Sequence, residues 1–233
     1  YIRDGIPVQR MLFGSSNPVL NEILTYKFKT GPAWEMGDCY LTEQQSADAF
    51  KECGLSSLDP KKPTIVLWGD SHAAHLYPGF KQVYGGQYNL VYRSASACPP
   101  ILQLDKATRP YCQSINDKTF AVIKRLHPEI VVLAGNWRDN SWLDLRRTID
   151  GLQGLGVQEI ELIGPVPVWE NNLPKQVFLY CKKNTPCEVP QYMKMGLVPQ
   201  VFALDRQMAA FAQQEKVQYF SPLKVSCKDE SCM

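Results

Sequence analysis

The chain has 233 residues, which at roughly 150 per domain is one large domain or one domain with an appendage. With 45% hydrophobic and 21% charged residues its composition is that of an ordinary folded protein, which excludes disorder, collagen-like repeats and coiled coil. Lys plus Arg is 25 against 23 for Asp plus Glu, a formal net charge of +2, so no whole-protein field marks a binder of nucleic acid or of membrane surfaces. The longest apolar runs, Ile65–Trp68 and Ile130–Ala134, fall far short of the roughly 18 residues that a membrane span needs.

Residues 1–57 carry turn signals at Gly14–Pro18 and at Gly31-Pro32, one plausible helix from Thr42 and no strong strand period. They read as an irregular N-terminal extension or linker. From residue 58 to residue 233 short Val- and Ile-rich runs alternate with helix-period segments, the pattern of β-α-β units around a parallel sheet. Strands are expected at Thr64–Trp68, Tyr88–Tyr92, Ile130–Ala134 and Glu159–Ile163, with a weaker one at Val217–Phe220; their near-continuous apolarity suits strands covered on both faces. Helical spacing joins Ala73, Leu76, Tyr77, Phe80 and Tyr84 after the first strand, and Trp142, Leu145, Ile149 and Leu152 after the third. Before the third strand, Ser114 and Asp117 resemble a capping box ahead of Val122, Ile123 and Leu126. Near the end, Val201, Leu204, Met208 and Phe211 repeat in the same way. The segment Gly164–Pro199 holds six prolines and the small Cys181–Cys187 loop, and reads as irregular. It follows the fourth strand, and the Cys98–Cys112 segment follows the second, so both belong to the carboxyl edge of the sheet where open α/β folds bind ligands. They are either walls for a substrate or surface loops pinned by disulfides.

Eight cysteines form four local couples, Cys39/Cys53, Cys98/Cys112, Cys181/Cys187 and Cys227/Cys232, separated by 14, 14, 6 and 5 positions. Connectivity does not follow from an even count, but nearest-neighbour closure needs the least loop entropy and leaves no odd thiol. Zinc and redox sites favour Cys-x-x-Cys spacing, which is absent, so no metal is expected and four disulfides in an oxidising compartment are. The sequence opens at Tyr1 without a leader, so export is expected to depend on a removed signal or an upstream membrane segment.

The chemistry concentrates in Val66-Leu67-Trp68-Gly69-Asp70-Ser71-His72, where an apolar strand breaks at Gly69 and a helix begins at once. Such a corner exposes the Ser71 hydroxyl at the carboxyl edge and aims the first helical amides at any oxyanion that forms there, which suits acyl transfer. Asp70 and Ser71 are equally good helix caps and would stand here without catalysis. Directly after the third strand, Gly135-Asn136-Trp137 puts a carboxamide donor at the same edge, with Trp137 either an apolar face for a sugar or a core residue.

Gly69-Asp70-Ser71-His72-Ala73-Ala74-His75, Cys98-Pro99-Pro100 and Gly135-Asn136-Trp137 together resemble the SGNH hydrolase superfamily. Within it they are most similar to the periplasmic SGNH domain fused behind the acyltransferase-3 membrane domain of bacterial O-antigen and surface-polysaccharide O-acetyltransferases. The resemblance implies a three-layer α/β/α flavodoxin-like parallel sheet, Ser71 as nucleophile, and the Ser71 amide with Asn136 as oxyanion donors, supported by Gly69, Asp70 and His72. It implies a third oxyanion donor from a glycine after the second strand, where this chain has Arg93-Ser94-Ala95-Ser96-Ala97; that donor is placed between Ser94 and Ser96, with Ser96 named for it. Trp137 and Trp169 are expected as substrate walls. No bound cofactor is expected, and acetyl-CoA enters only as the distal acetyl donor used by the fused upstream membrane domain. The implied partner is a glycan acceptor, and the implied location is the periplasm, tethered to the inner membrane.

The family draws its base from an Asp-x-x-His motif, and this sequence has none; its histidines are His72, His75 and His127. His127 precedes the third strand and belongs to the opposite edge from Ser71. The base motif is therefore expected beyond Met233, and the chain alone is expected to be weak or inactive. The competing readings are an esterase or deacetylase that uses the same serine, and a glycan-docking domain in which Gly69-Asp70-Ser71 is only a cap.

Overall fold

A computed structural model describes residues 29–138, 141–184 and 186–233. The expected turn at Gly14–Pro18 lies outside them. Six strands form one parallel sheet in the order β1-β3-β2-β4-β5-β6: β1 Tyr40–Leu41, β2 Thr64–Gly69, β3 Asn89–Ala95, β4 Ile130–Ala134, β5 Glu159–Ile163 and β6 Gln218–Phe220. The four main expected strands and the weaker fifth are all present, within a few residues at each end.

Period-two alternation sorts the residues of the central strands onto two covered faces. Ile65, Leu67, Tyr92, Val132 and Ala134 pack with Ala73, Ala74 and Tyr77 of α1, Ser71–Tyr84. On the other face Val66, Trp68, Val91, Val131, Leu133, Ile160 and Leu162 meet three further helices. These are α2, Cys112–Leu126, through Ile123; α3, Leu145–Gly154, through Ile149 and Leu152; and α5, Gln200–Gln214, through Met208 and Phe211. This is the three-layer α/β/α arrangement of an open doubly wound sheet. From β2 the chain passes to β3 on one side and then returns to β4 on the other, so the topological switch point lies at the carboxyl end of β2.

Three local expectations are corrected. No α-helix starts at Thr42: Tyr40–Leu41 pairs with Ser94 and Ala95 as an edge strand, and a short 3-10 turn follows at Ala47–Ala49. Residues 39–57 are thereby drawn against the sheet, with Cys39 bonded to Cys53. Ser114 is no cap, because α2 starts at Cys112, whose half-cystine fixes that end, and the Ser114 hydroxyl donates to the Tyr111 carbonyl instead. The segment Gly164–Pro199 contains a real helix, α4, Leu173–Lys183, capped by the Asn172 side chain, with Pro174 in its first turn where a missing N–H costs nothing. A short α6, Pro222–Ser226, leads to a small hairpin of β7, Cys227–Lys228, and β8, Ser231–Cys232. All four expected disulfides are formed: Cys39–Cys53, Cys98–Cys112, Cys181–Cys187 and Cys227–Cys232.

The loop after β3 is fixed from beneath. Asn116 on α2, 1% exposed, accepts from the Trp68 indole at 3.1 Å and donates to the carbonyls of Pro99 and Ile101 at 2.9 and 2.8 Å. Thr148 on α3 donates to the Pro100 carbonyl at 3.0 Å and accepts from the Leu102 N–H at 2.9 Å. Replacing Asn116 by Ala orphans three buried polar groups, so Asn116→Ala is expected to lower the unfolding free energy by about 2–4 kcal/mol in urea denaturation. A loss below about 1 kcal/mol would contradict this account of the loop.

Candidate active site

The site is assembled where three neighbouring strands end. Gly69 of β2 is in register with Ser94 of β3 on one side and Ala134 of β4 on the other. Ser71 and Asn136 each lie two residues beyond the Gly69–Ala134 pair, and Ala97 three beyond Ser94, so all three emerge at one rim. The close fit of β2 against β4 requires a glycine: a Cβ on residue 69 would stand 1.7 Å from the Ala134 carbonyl oxygen. Gly135 is required in its turn because the Trp137 ring folds back over it, 2.9 Å from where a Cβ would be.

Asp70, 1% exposed, ties the rim together. Its Oδ1 accepts the His72 N–H at 2.8 Å and faces His72 Nδ1 at 3.2 Å, while its Oδ2 accepts the Asn136 N–H at 2.8 Å. Its carbonyl accepts the Ser94 hydroxyl at 2.5 Å. Capping of α1 thus consumes the second helical amide and leaves that of Ser71, the first, to face outward with the positive end of the helix dipole. The Ser71 side chain is half-buried, and no described residue accepts its hydroxyl proton.

Asn136 is half-buried at the same rim, and its Oδ1 accepts from the Arg138 N–H at 3.4 Å and from Arg138 Nε at 3.1 Å. A pocket of about 320 Å³ is lined by Asp70, Ala97, Pro99, Lys106, Asn136 and Arg138.

The structure removes Ser96 from the oxyanion role. Its N–H donates to the Leu41 carbonyl at 2.8 Å, its own carbonyl accepts Arg109 Nε at 2.7 Å, and its hydroxyl lies 3.5 Å from Glu43. Edge pairing with β1 consumes that amide, and the Ser94 N–H is likewise taken, by the Cys39 carbonyl at 2.9 Å. The backbone group that remains is Ala97: it lines the pocket, takes the left-handed conformation at φ 53°, and its N–H has no acceptor among the described residues. The turn that presents it is closed by the Cys98 N–H on the Ala95 carbonyl at 3.2 Å. Arg109, 3% exposed and unremarkable in the sequence, clamps this loop to the segment before it, donating to the carbonyls of Thr42, Glu43 and Ser96. Burial pulls its guanidinium below the ordinary range, and the nearby Glu43 opposes that.

Trp137 is also corrected. It is 1% exposed, and its indole donates to the Ile163 carbonyl at 2.8 Å, so it is a core residue locking β4 to β5 and no wall for a sugar. None of the described residues of the Cys181–Cys187 loop lines this pocket either. Cys187 is bonded to Cys181 in the last turns of α4, across a sequence separation of 6. There Cys187 is half-buried against a satellite cluster of Val177, Cys181 and Met193, so it staples the far end of α4 and is absent from the lining of the pocket beside Asp70 and Asn136. Trp169 packs against the same cluster, also outside that lining, and its indole nitrogen is buried without a partner among the described residues. Of the two segments expected at the carboxyl edge, Gly164–Pro199 contributes none of its described residues to the pocket, whereas the Cys98–Cys112 loop contributes Pro99 and Lys106.

The histidines sort by geometry. His127 caps the end of α2 in the left-handed region, at φ 47°, before β4. His75 meets His72 edge-on, with ring centroids 5.8 Å apart. Desolvation and the neighbouring His72 push its imidazole below the ordinary value. Among the described residues, no group of three or more His, Cys, Asp or Glu is disposed to hold a metal ion.

A family model described as an SGNH domain fused to AT3 domains matches residues 38–233. No curated protein sequence matches the chain. Among solved structures, the periplasmic domain of a lipopolysaccharide acetyltransferase of Salmonella ser. Paratyphi A superposes with a TM-score of 0.74 at 23% identity, over 95% of this chain and 85% of that one. An assigned acylhydrolase of Bacteroides fragilis superposes with a TM-score of 0.42 at 13% identity, over 80% of this chain and 83% of that one.

Asp70→Asn is nearly isosteric but turns one of two acceptor oxygens into a donor facing an N–H. It is expected to cost about 2–3 kcal/mol and to strip hydrogen-exchange protection from the Asn136 or the His72 amide while Leu67 keeps its own. Unchanged protection at both amides would show that the carboxylate does not hold the rim.

Proposed function

The chain belongs to the family of SGNH domains fused to AT3 domains, and from that membership we propose that it is a periplasmic O-acyltransferase domain. It takes an acetyl group onto Ser71 as an ester and passes it to a hydroxyl of a surface polysaccharide of the O-antigen kind. The observation that carries this reading is the convergence of the Ser71 corner, the Asn136 carboxamide and the free Ala97 amide at the carboxyl ends of three adjacent strands. Attack of the Ser71 oxygen on an acyl carbonyl creates an oxyanion, and three preorganised N–H donors stabilise it in both halves of the double displacement.

A base takes the Ser71 proton during acylation and the sugar hydroxyl proton during transfer. We assign it to an Asp-x-x-His segment following Met233. The upstream partner is an acyltransferase-3 membrane domain that tethers this domain to the inner membrane and hands on acetyl drawn ultimately from acetyl-CoA. Four disulfides, including one beneath the Cys98–Cys112 loop beside the pocket, agree with an oxidising compartment.

Two measurements test the reading on protein extended past Met233. A fluorophosphonate probe is expected to modify wild type and to leave Ser71→Ala unmodified; equal modification of both would favour a glycan-docking domain. With an acetyl donor and polysaccharide acceptor present, acetyl is expected to appear on the glycan. Release into water alone, with the acceptor never acetylated, would replace transfer by hydrolysis.

A further inference from the structure

An asparagine that serves as an oxyanion donor has a geometric weakness: its amide is nearly symmetric in shape, and a half-turn about its last bond replaces the N–H donors by a lone-pair oxygen. In this site the ambiguity is removed by one residue. Arg138 approaches Asn136 with two donors, its backbone N–H at 3.4 Å and its Nε at 3.1 Å, both on Oδ1. An arginine offers donors only, so the flipped amide would set N–H against N–H on both contacts. The Asn136 oxygen must face Arg138, and its Nδ2 must face the other way. The Asn136 main chain is held separately, by its N–H on Asp70 at 2.8 Å. Backbone and carboxamide are thus fixed by oppositely charged residues from different parts of the rim. Arg138 is itself exposed, packs into no core cluster, and lines the same pocket as Asn136.

We infer that Arg138 is a positioning residue that locks the Asn136 carboxamide with its N–H group toward the developing oxyanion. The inference rests on the acyl-transfer reading, in which Asn136 is that donor. The guanidinium acts through Asn136 and need touch neither the acyl group nor its acceptor. Its second contribution is inductive: a cation bonded to Oδ1 draws electron density from the amide and makes Nδ2–H a stronger donor at the moment the oxyanion forms.

A double-mutant cycle on protein extended past Met233, read as fluorophosphonate modification of Ser71, tests this. Asn136→Ala is expected to slow the maximal inactivation rate by about 100-fold or more, with little change in the probe concentration giving half-maximal rate. Arg138→Ala is expected to slow the same step by about 10- to 100-fold with the same split. In the Asn136→Ala background, Arg138→Ala is expected to cost nothing further. Additive losses would overturn the inference and give Arg138 an independent role, as would an Arg138→Ala enzyme as fast as wild type. If Asn136→Ala alone leaves the rate unchanged, the failure lies in the oxyanion reading itself, and the inference falls with it.

Discussion

The site depends on one buried carboxylate. Asp70 stands where β2 becomes α1, and its two oxygens serve different masters: one caps the helix that carries Ser71, the other holds the backbone of Asn136 at the end of β4. A neutral side chain of the same size cannot do both, because each contact presents an N–H. With the Ser94 hydroxyl on the Asp70 carbonyl, the ends of β3, β2 and β4 become one rigid unit. Preorganisation of this kind is what an oxyanion site needs, since donors already in place undergo no reorganisation when charge develops.

The surrounding chain adapts to that unit. The Cys39 and Leu41 carbonyls occupy the amides of Ser94 and Ser96, and Arg109 ties the Ser96 carbonyl to those of Thr42 and Glu43, so that the first backbone N–H left open after β3 is that of Ala97. Where a glycine would enter the left-handed region without cost, alanine is held there by the Cys98 turn and the Cys98–Cys112 disulfide. From beneath, Asn116 and Thr148 replace hydrogen bonds that a loop of consecutive prolines cannot make for itself.

Most of the sheet is legible in the sequence because a strand covered on both faces must be nearly apolar throughout, and Thr64–Trp68 and Ile130–Ala134 leave few other structures open, while Glu159–Ile163 shows as an alternation of Glu with Ile and Leu. The four disulfides follow from loop entropy, but pairing does not say what a loop faces: Cys187 closes on Cys181 as expected and yet turns toward α4, away from the pocket. Tyr40–Leu41 is invisible because two residues carry no period. Helix α4 hides behind Pro174, which reads as a breaker although it stands in the first turn, where proline is tolerated. In the site, Ser71, Asp70 and Asn136 declare themselves by following strand ends. Trp137 does not reveal whether its ring turns inward, since a residue beyond a strand's end obeys no alternation. The Ala97 amide, Arg109 and the Arg138–Asn136 contact leave no motif, because they arise from loop geometry that only the folded chain defines.

In the proposed acyl transfer, the corner held by Asp70 directs three N–H groups at one place above Ser71. The most direct measurement is a crystal structure of the protein extended past Met233 with Ser71 phosphonylated, the adduct's phosphoryl oxygen standing in for the oxyanion. The account predicts that oxygen within about 3 Å of the Ser71 N, the Ala97 N and Asn136 Nδ2. A phosphoryl oxygen turned to solvent, with Asn136 contacting none of the adduct, would contradict it.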